Sequence, residues 1–198
     1  MALLEDLKKG AEIVTRIGRP DWVDVRTTQR KPNAHRFKDD GETPNNPRFP
    51  LIHYRGAVAL DPAYDPAAMF EVLFRHNGWV DQWRDGIYPF LHFHTRTHEV
   101  LGIARGAARV RFGGAKGRTL ALKAGDVVIL PAGTGHRRIE ATDDLLVVGA
   151  YPKGSGDYDE PKPGEVDARQ ARRHIAAVPA PLCDPVYGRE GPLGKLWK

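Results

Sequence analysis

The chain reads as an all-β protein, a sandwich or barrel with short helical or irregular extensions at both ends. Between Tyr88 and Ala150 short apolar runs alternate with turn residues at regular spacing. Glycine (21) and proline (16) are frequent, which favours a turn-rich β protein over a helical bundle. At 198 residues the chain suffices for one domain with a full core and some decoration.

Taken in order, Leu3, Leu4, Leu7, Ala11 and Val14 recur at helical spacing and predict an amphipathic helix over residues 2–17, stopped by Gly18 and Pro20. Residues 21–50 read as β or irregular: Trp22–Val25 alternates like a strand, and Asp39-Asp40-Gly41 and Pro44-Asn45-Asn46-Pro47 are turn clusters. Leu51–Leu60 reads as a strand. Residues 65–78 are the clearest helix. Asp65 can cap the free amides of the first turn, Pro66 suits the first helical position, Met69, Phe70, Leu73 and Phe74 form one stripe, and Asn77-Gly78 ends it. Strands are expected at 98–104, 107–112, 118–122, 126–130, 136–140 and 145–150, with Gly113–Gly117 as a hairpin turn rather than a phosphate loop, since no helix follows it. A short helix is expected within 165–177. The irregular tail carries Leu182, Val186, Tyr187, Leu193, Leu196 and Trp197, enough apolar anchors to pack against the domain or a second subunit. The domain core is therefore placed at residues 50–152, flanked by an N-terminal extension (1–49) and a C-terminal extension (153–198).

The net charge of +5 is spread over interleaved acidic and basic residues, with local clustering only at Arg169–Arg173. This is a solvated basic surface and not a nucleic-acid footprint. No run approaches the ~18 apolar residues of a membrane span, and the start lacks the order of a secretion signal. With a single cysteine, Cys183, the expectation is a cytoplasmic protein without membrane or nucleic-acid partners.

Four of the eight histidines fall in two blocks, Gly86–Gly106 and Gly125–His136. Side chains alternate faces along a strand, so His92 and His94 share a face, and Glu99 on the next strand can approach them. The turn Pro131-Ala132-Gly133-Thr134-Gly135 delivers His136. Three imidazoles and one carboxylate suit one divalent transition metal (Mn, Fe, Co, Ni, Cu or Zn) better than Ca or Mg. Four protein ligands on a six-coordinate ion leave positions open for Lewis-acid or oxygen chemistry.

The spacings G-x5-H-x-H-x4-E-x6-G (Gly86, His92, His94, Glu99, Gly106) and G-x5-P-x-G-x2-H (Gly125, Pro131, Gly133, His136) resemble the two signature motifs of the cupin superfamily. Further stretches, among them Pro44–Pro47, Asn77-Gly78-Trp79, Trp83–Gly86, Thr97–Ile103 and Asp184–Gly188, resemble the YjlB-type bacterial cupins. The resemblance implies a double-stranded β-helix (jelly roll) with a metal in its mouth, and it supplies no reaction. The final position of the second motif, usually Asn, is Glu140 here. It shares strand parity with His136, so it is expected to face inward as a candidate general base. His98 is expected to face outward as a surface or subunit-contact residue. Arg96 and Arg138 are candidates for binding an anionic substrate at the rim. Trp22, Trp79 and Trp83 read as core or interface residues. Leu91, Phe93 and Val100 read as outward apolar positions that hint at a homodimer. The functional expectation is a metal-dependent enzyme on a small polar molecule, of isomerase, lyase or dioxygenase type; the alternative is a non-catalytic ligand or metal sensor using the same pocket.

Overall fold

The structure is a computed structural model and describes residues 18–156 and 158–198. The helix expected over 2–17 lies outside the described residues. Among those described, strands β1 (Asn33–His35), β2 (Leu51–Tyr54), β3 (Trp79–Asp85), β4 (Glu99–Arg105), β7 (Val127–Leu130) and β9 (Leu146–Pro152) form one sheet in the order β1-β2-β7-β4-β9-β3. Strands β5 (Ala107–Phe112), β6 (Arg118–Lys123) and β8 (His136–Ala141) form a second sheet in the order β6-β5-β8. Every pairing is antiparallel, and the two sheets face each other as a jelly-roll barrel.

The larger sheet is covered on both faces, which explains its composition. Leu101, Ile103, Val128, Leu130 and Val147 point between the sheets and meet Val110, Phe112, Leu120 and Leu122 of the smaller one. On the other face Val100, Ala104, Ile129, Val148 and Ala150 pack under helix α1 (Pro66–His76) and the C-terminal segment. Strands buried on both faces read as near-continuous apolar runs rather than alternating ones, and Val127–Leu130 is such a run. In the smaller sheet the alternation is clear, with Val110 and Phe112 buried and Arg109 exposed.

Helix α1 starts as expected: the Asp65 side chain accepts from the Ala67 amide 3.1 Å away, and Pro66 occupies its first turn. Gly78, at φ +79°, makes the left-handed stop, while Asn77 stays on the negative-φ side. Gly102 lets α1 approach the sheet, because a Cβ there would overlap the ring of Phe70.

Several sequence expectations need correction. Trp22–Asp24 is one turn of 3-10 helix and not a strand; Asp21 and Asp24 cap each other's backbone amides, and local capping overrides the alternation. The strand expected over 51–60 ends at Tyr54, where a turn through Gly56 intervenes. Strand β3 was not anticipated, because a bulge breaks its periodicity. Val80 pairs with Tyr151 but Trp83 with Gly149, and Asp81 takes a positive φ of 53°. The extra residue reverses the facing, so Trp79 enters the outer core and Trp83 packs against the inner one. Phe93 and Val100 are fully buried within the chain and Leu91 is partly buried, so these positions give no support to a homodimer.

Helix α2 (Ala168–Ala177) is capped by Asp167, and helix α3 (Leu193–Leu196) lies in the tail that reads as irregular in sequence. The tail packs onto the domain through Val186, Leu193 and Trp197. Its anchor is the buried Asp184. Tyr54 Oη donates to its carboxylate at 2.6 Å, and the amides of Val186 (2.9 Å), Tyr187 (3.2 Å) and Leu193 (3.2 Å) donate as well. Burial nevertheless raises the Asp184 pKa. Trp197 stacks on Phe49 and donates its indole N–H to the Pro50 carbonyl at 2.9 Å.

Because the Tyr54 hydroxyl serves a buried charged acceptor, Tyr54→Phe should lower unfolding stability by about 1.5–3 kcal/mol with the denaturant slope unchanged. Urea unfolding measures this. A loss under about 0.5 kcal/mol would show that the anchor does not depend on this bond.

Candidate metal centre

His92 and His136 are brought together by the backbone. They form an antiparallel bridge in which the His136 amide donates to the His92 carbonyl (2.9 Å) and the His92 amide to the His136 carbonyl (3.3 Å). Directly opposed residues project to the same face, and the two rings lie 4.1 Å apart. The Gly133 amide donates to the His94 carbonyl at 2.7 Å, continuing the pairing. The turn that allows this needs Gly133 at φ +88°, packed against the Asn45 backbone. Asn46 donates to the Ala132 carbonyl and Asn45 to the Gly113 carbonyl, so the Pro44–Pro47 segment braces the histidine-bearing turn from below.

His92, His94 and His136 are buried and positioned for a metal, each with a ligand atom within 4.8 Å of the others. Glu99, also buried, opens β4 on the same inner face as Leu101, and its Oε2 lies 3.3 Å from His94 Nε2 and 3.4 Å from His136 Nε2. Each imidazole has its Nδ1 against a main-chain carbonyl: Phe90 for His92 (3.3 Å), Thr134 for His136 (3.1 Å) and, at short range, Asp159 for His94. An Nδ1–H donated to a carbonyl fixes the tautomer and turns the Nε2 lone pair inward.

The electrostatics suit a cation. Burial, then the neighbouring His92, pushes the His136 pKa down to about 3, and burial lowers that of His92. Burial also opposes charge on His94, but the Glu99 carboxylate outweighs it and the pKa is raised. Burial alone would raise Glu99; the surrounding histidines hold it low. His94 Nε2 and Glu99 Oε2 are buried without a hydrogen-bond partner. In a neutral His94 two lone pairs face each other there, and a proton or a metal cation between them removes the conflict.

Other expected residues lie elsewhere. Glu140 is exposed and pairs with Arg109 at 3.0 Å, on the outside of the barrel. A bulge is the reason: Val110 pairs with Arg138 but Arg109 with Glu140, so Ile139 is an extra residue and the parity counted from His136 fails beyond it. The expected inward carboxylate base is thereby corrected. His98 does turn away from Glu99, but into the outer core and not to the surface. It is fully buried, accepts from the Ala132 amide at Nδ1 (2.8 Å), reaches the Pro179 carbonyl through Nε2 (3.1 Å) and packs on Trp197. Arg96 and Arg138 do not line the cavity above the histidines.

That cavity, about 190 Å³, has His92, His136 and Glu99 at its floor, with Trp83, Tyr88, Tyr151 and Tyr158 among its walls. Gly149 lets the Trp83 indole lie flat on β9, where a Cβ would overlap it, and its N–H donates to Tyr151 Oη at 3.1 Å. Asp159 closes the site from the C-terminal side: its carbonyl holds His94, and its carboxylate accepts from the Thr95 amide (2.7 Å) and hydroxyl (2.6 Å). Sequence reasoning missed Tyr151, Tyr158 and Asp159, which carry no spacing signal.

A two-sheet antiparallel jelly roll with histidines converging in its mouth is a cupin. The chain is 38% identical over 170 residues to the uncharacterized protein YjlB of Bacillus subtilis (strain 168), covering 85% of this chain and 98% of YjlB, and it belongs to the YjlB family of cupins. No family model matches the chain. Solved structures with partial similarity include a variant of Bacillus subtilis oxalate decarboxylase (21% identity, TM-score 0.36, 62% of this chain and 30% of that one). Another is acireductone dioxygenase from Bacillus anthracis with a cadmium ion in its active centre (16% identity, TM-score 0.33, 43% of this chain and 58% of that one). The chain thus spans about a third or less of the oxalate decarboxylase chain. Among the described residues no helix is long and apolar enough to cross a membrane.

Burial holds the His98 pKa at about 4, against an ordinary value near 6.5. Between these values the unfolded chain binds the proton more tightly. The His98 contribution is therefore present above pH 6.5 and lost as pH falls towards 4, an effect of about 3 kcal/mol. Stability measured against pH should fall more gently over this window in His98→Asn than in the parent; parallel curves would contradict the assignment.

Proposed function

We propose that the protein is a metal-dependent enzyme acting on a small polar molecule, with isomerase, lyase or dioxygenase chemistry. The observation carrying this reading is the buried cluster of His92, His94, His136 and Glu99, of which His92, His136 and Glu99 form the floor of a cavity, with His94 Nε2 and Glu99 Oε2 left without hydrogen-bond partners. The proposed ligands are the inward Nε2 atoms of the three histidines and the Glu99 carboxylate, around one divalent ion among Mn, Fe, Co, Ni, Cu and Zn. Such an ion, when bound, supplies Lewis-acid stabilisation of developing negative charge or access to oxygen chemistry.

The chain's own residues provide orientation and a proton. Tyr151 is buried in the cavity wall, and burial together with the Glu99 charge raises its pKa, so the phenol stays protonated. Its oxygen accepts from Trp83, which leaves the Tyr151 O–H to donate to a molecule in the cavity. Tyr151 takes the place that Glu140 vacates as the acid–base candidate. Trp83 positions it, and the Asp159 carbonyl keeps His94 in its tautomer. The single cysteine supports a reducing, cytoplasmic setting.

Elemental analysis of protein purified without a metal-affinity tag should find about one transition-metal equivalent, lost in His94→Ala and in His136→Ala. A parent protein without stoichiometric metal overturns the proposal. Tyr151→Phe should keep its metal yet lose about 10²-fold or more in turnover on the true substrate. Undiminished turnover removes Tyr151 from the chemistry.

A further inference from the structure

The walls of the cavity have a charge character that its floor does not share. Arg84 is the one arginine or lysine in the lining, and its guanidinium is already taken: Nε and Nη2 bind Glu71 at 2.6 and 2.9 Å, and Nη1 binds Asp65 at 2.7 Å. Asp85 and Glu160 also line the cavity, and neither forms an ion pair among the described residues. Among the described residues Asp85 accepts a side-chain hydrogen bond from the Gly86 amide alone. The Tyr88 hydroxyl registers this field, because the charge of Glu160 is the largest cause raising its pKa. Among the described residues, the side chains of this wall offer an entering molecule two carboxylates outside any ion pair and no arginine or lysine that is not already paired.

The remaining wall is aromatic. Tyr151 and Tyr158 stack at 5.0 Å with their planes 13° apart, Tyr88 stacks on Phe90 at 4.6 Å, and Trp83 lines the cavity with them. Aromatic faces with nearby carboxylates attract ammonium groups through the ring quadrupole. Outside the cavity the Lys162 ammonium lies 4.7 Å over the ring of Phe90, which stacks on Tyr88.

We propose that the molecule received by this cavity carries a cationic ammonium group, held by Tyr88, Tyr151, Tyr158, Asp85 and Glu160, with an oxygen donor directed to the histidine floor. The substrate class is a small amino alcohol or a similar oxygen-bearing ammonium compound. This rests on the metal-centre reading above and narrows it; the anionic substrate that Arg96 and Arg138 suggest in the sequence is replaced, since neither lines the site.

A matched pair of probes isolates the charge: choline, and 3,3-dimethylbutan-1-ol, which has the same shape with carbon in place of the quaternary nitrogen. Binding to the cobalt-loaded full-length protein is followed by the visible spectrum of the metal and by calorimetry. Choline should bind at least about tenfold more tightly than the neutral alcohol. The Asp85→Asn/Glu160→Gln variant, with unchanged cobalt content, should lose most of that preference. Equal binding of the two probes, binding of neither, or a preference that survives in the double variant overturns the cationic assignment. Cobalt content of the same samples separates the failures. Protein that takes up no metal overturns the metal centre, and with it this assignment; metal-loaded protein that does not discriminate overturns the substrate class alone.

Discussion

A carboxylate buried at the start of the central strand is the constraint around which the rest of the molecule is arranged. Glu99 opens β4, whose two faces are both covered, and it is buried at the floor of the cavity. An isolated buried carboxylate costs several kcal/mol unless positive or hydrogen-bonding groups surround it. Here His94, whose pKa the carboxylate raises, is the imidazole that can carry the balancing charge and is tied to the C-terminal segment, while His92 and His136, locked across a strand bridge, turn their Nε2 lone pairs to the same point and leave room for a cation. Each of those imidazoles has a main-chain carbonyl behind it, from Phe90, Thr134 and Asp159. The asparagines of 45–46, the Gly133 turn and Asp159 are successive layers of support for one charge.

The fold was legible where burial alone decides. The run Val127–Leu130, the stripe on α1 and the alternation of β5 lead to the right elements, because apolar spacing has one good solution in each case. The convergence of His92, His94, Glu99 and His136 was legible for the same reason, with strand parity and turn length leaving their side chains little freedom. What parity could not carry was a bulge. One extra residue at Ile139 sends Glu140 outside, and one near Asp81 sends Trp83 inside. No composition signal marks either position, since a bulge is decided by how two paired strands fit.

His98 shows a different gap. Alternation correctly turns it away from Glu99, yet away from the barrel interior does not mean towards water when a second layer covers the sheet. That layer is built by a tail rich in proline and glycine, whose packing follows from Asp184, Tyr54 and Trp197. The aromatic wall was invisible for a related reason: Tyr88, Tyr151 and Tyr158 come from separate segments and meet only in three dimensions.

The bond between the Asp159 carbonyl and His94 has a consequence for the order in which the molecule is made. All four inward groups have been synthesised by residue 136, and both sheets by residue 152, before Asp159 leaves the ribosome. Until then His94 lacks the carbonyl that orients it, and the Thr95–Arg96 turn lacks the carboxylate that binds its amides. In chain order the barrel is therefore a vessel that receives its clasp last, because the support for His94 comes from the last quarter of the chain, after every strand of both sheets.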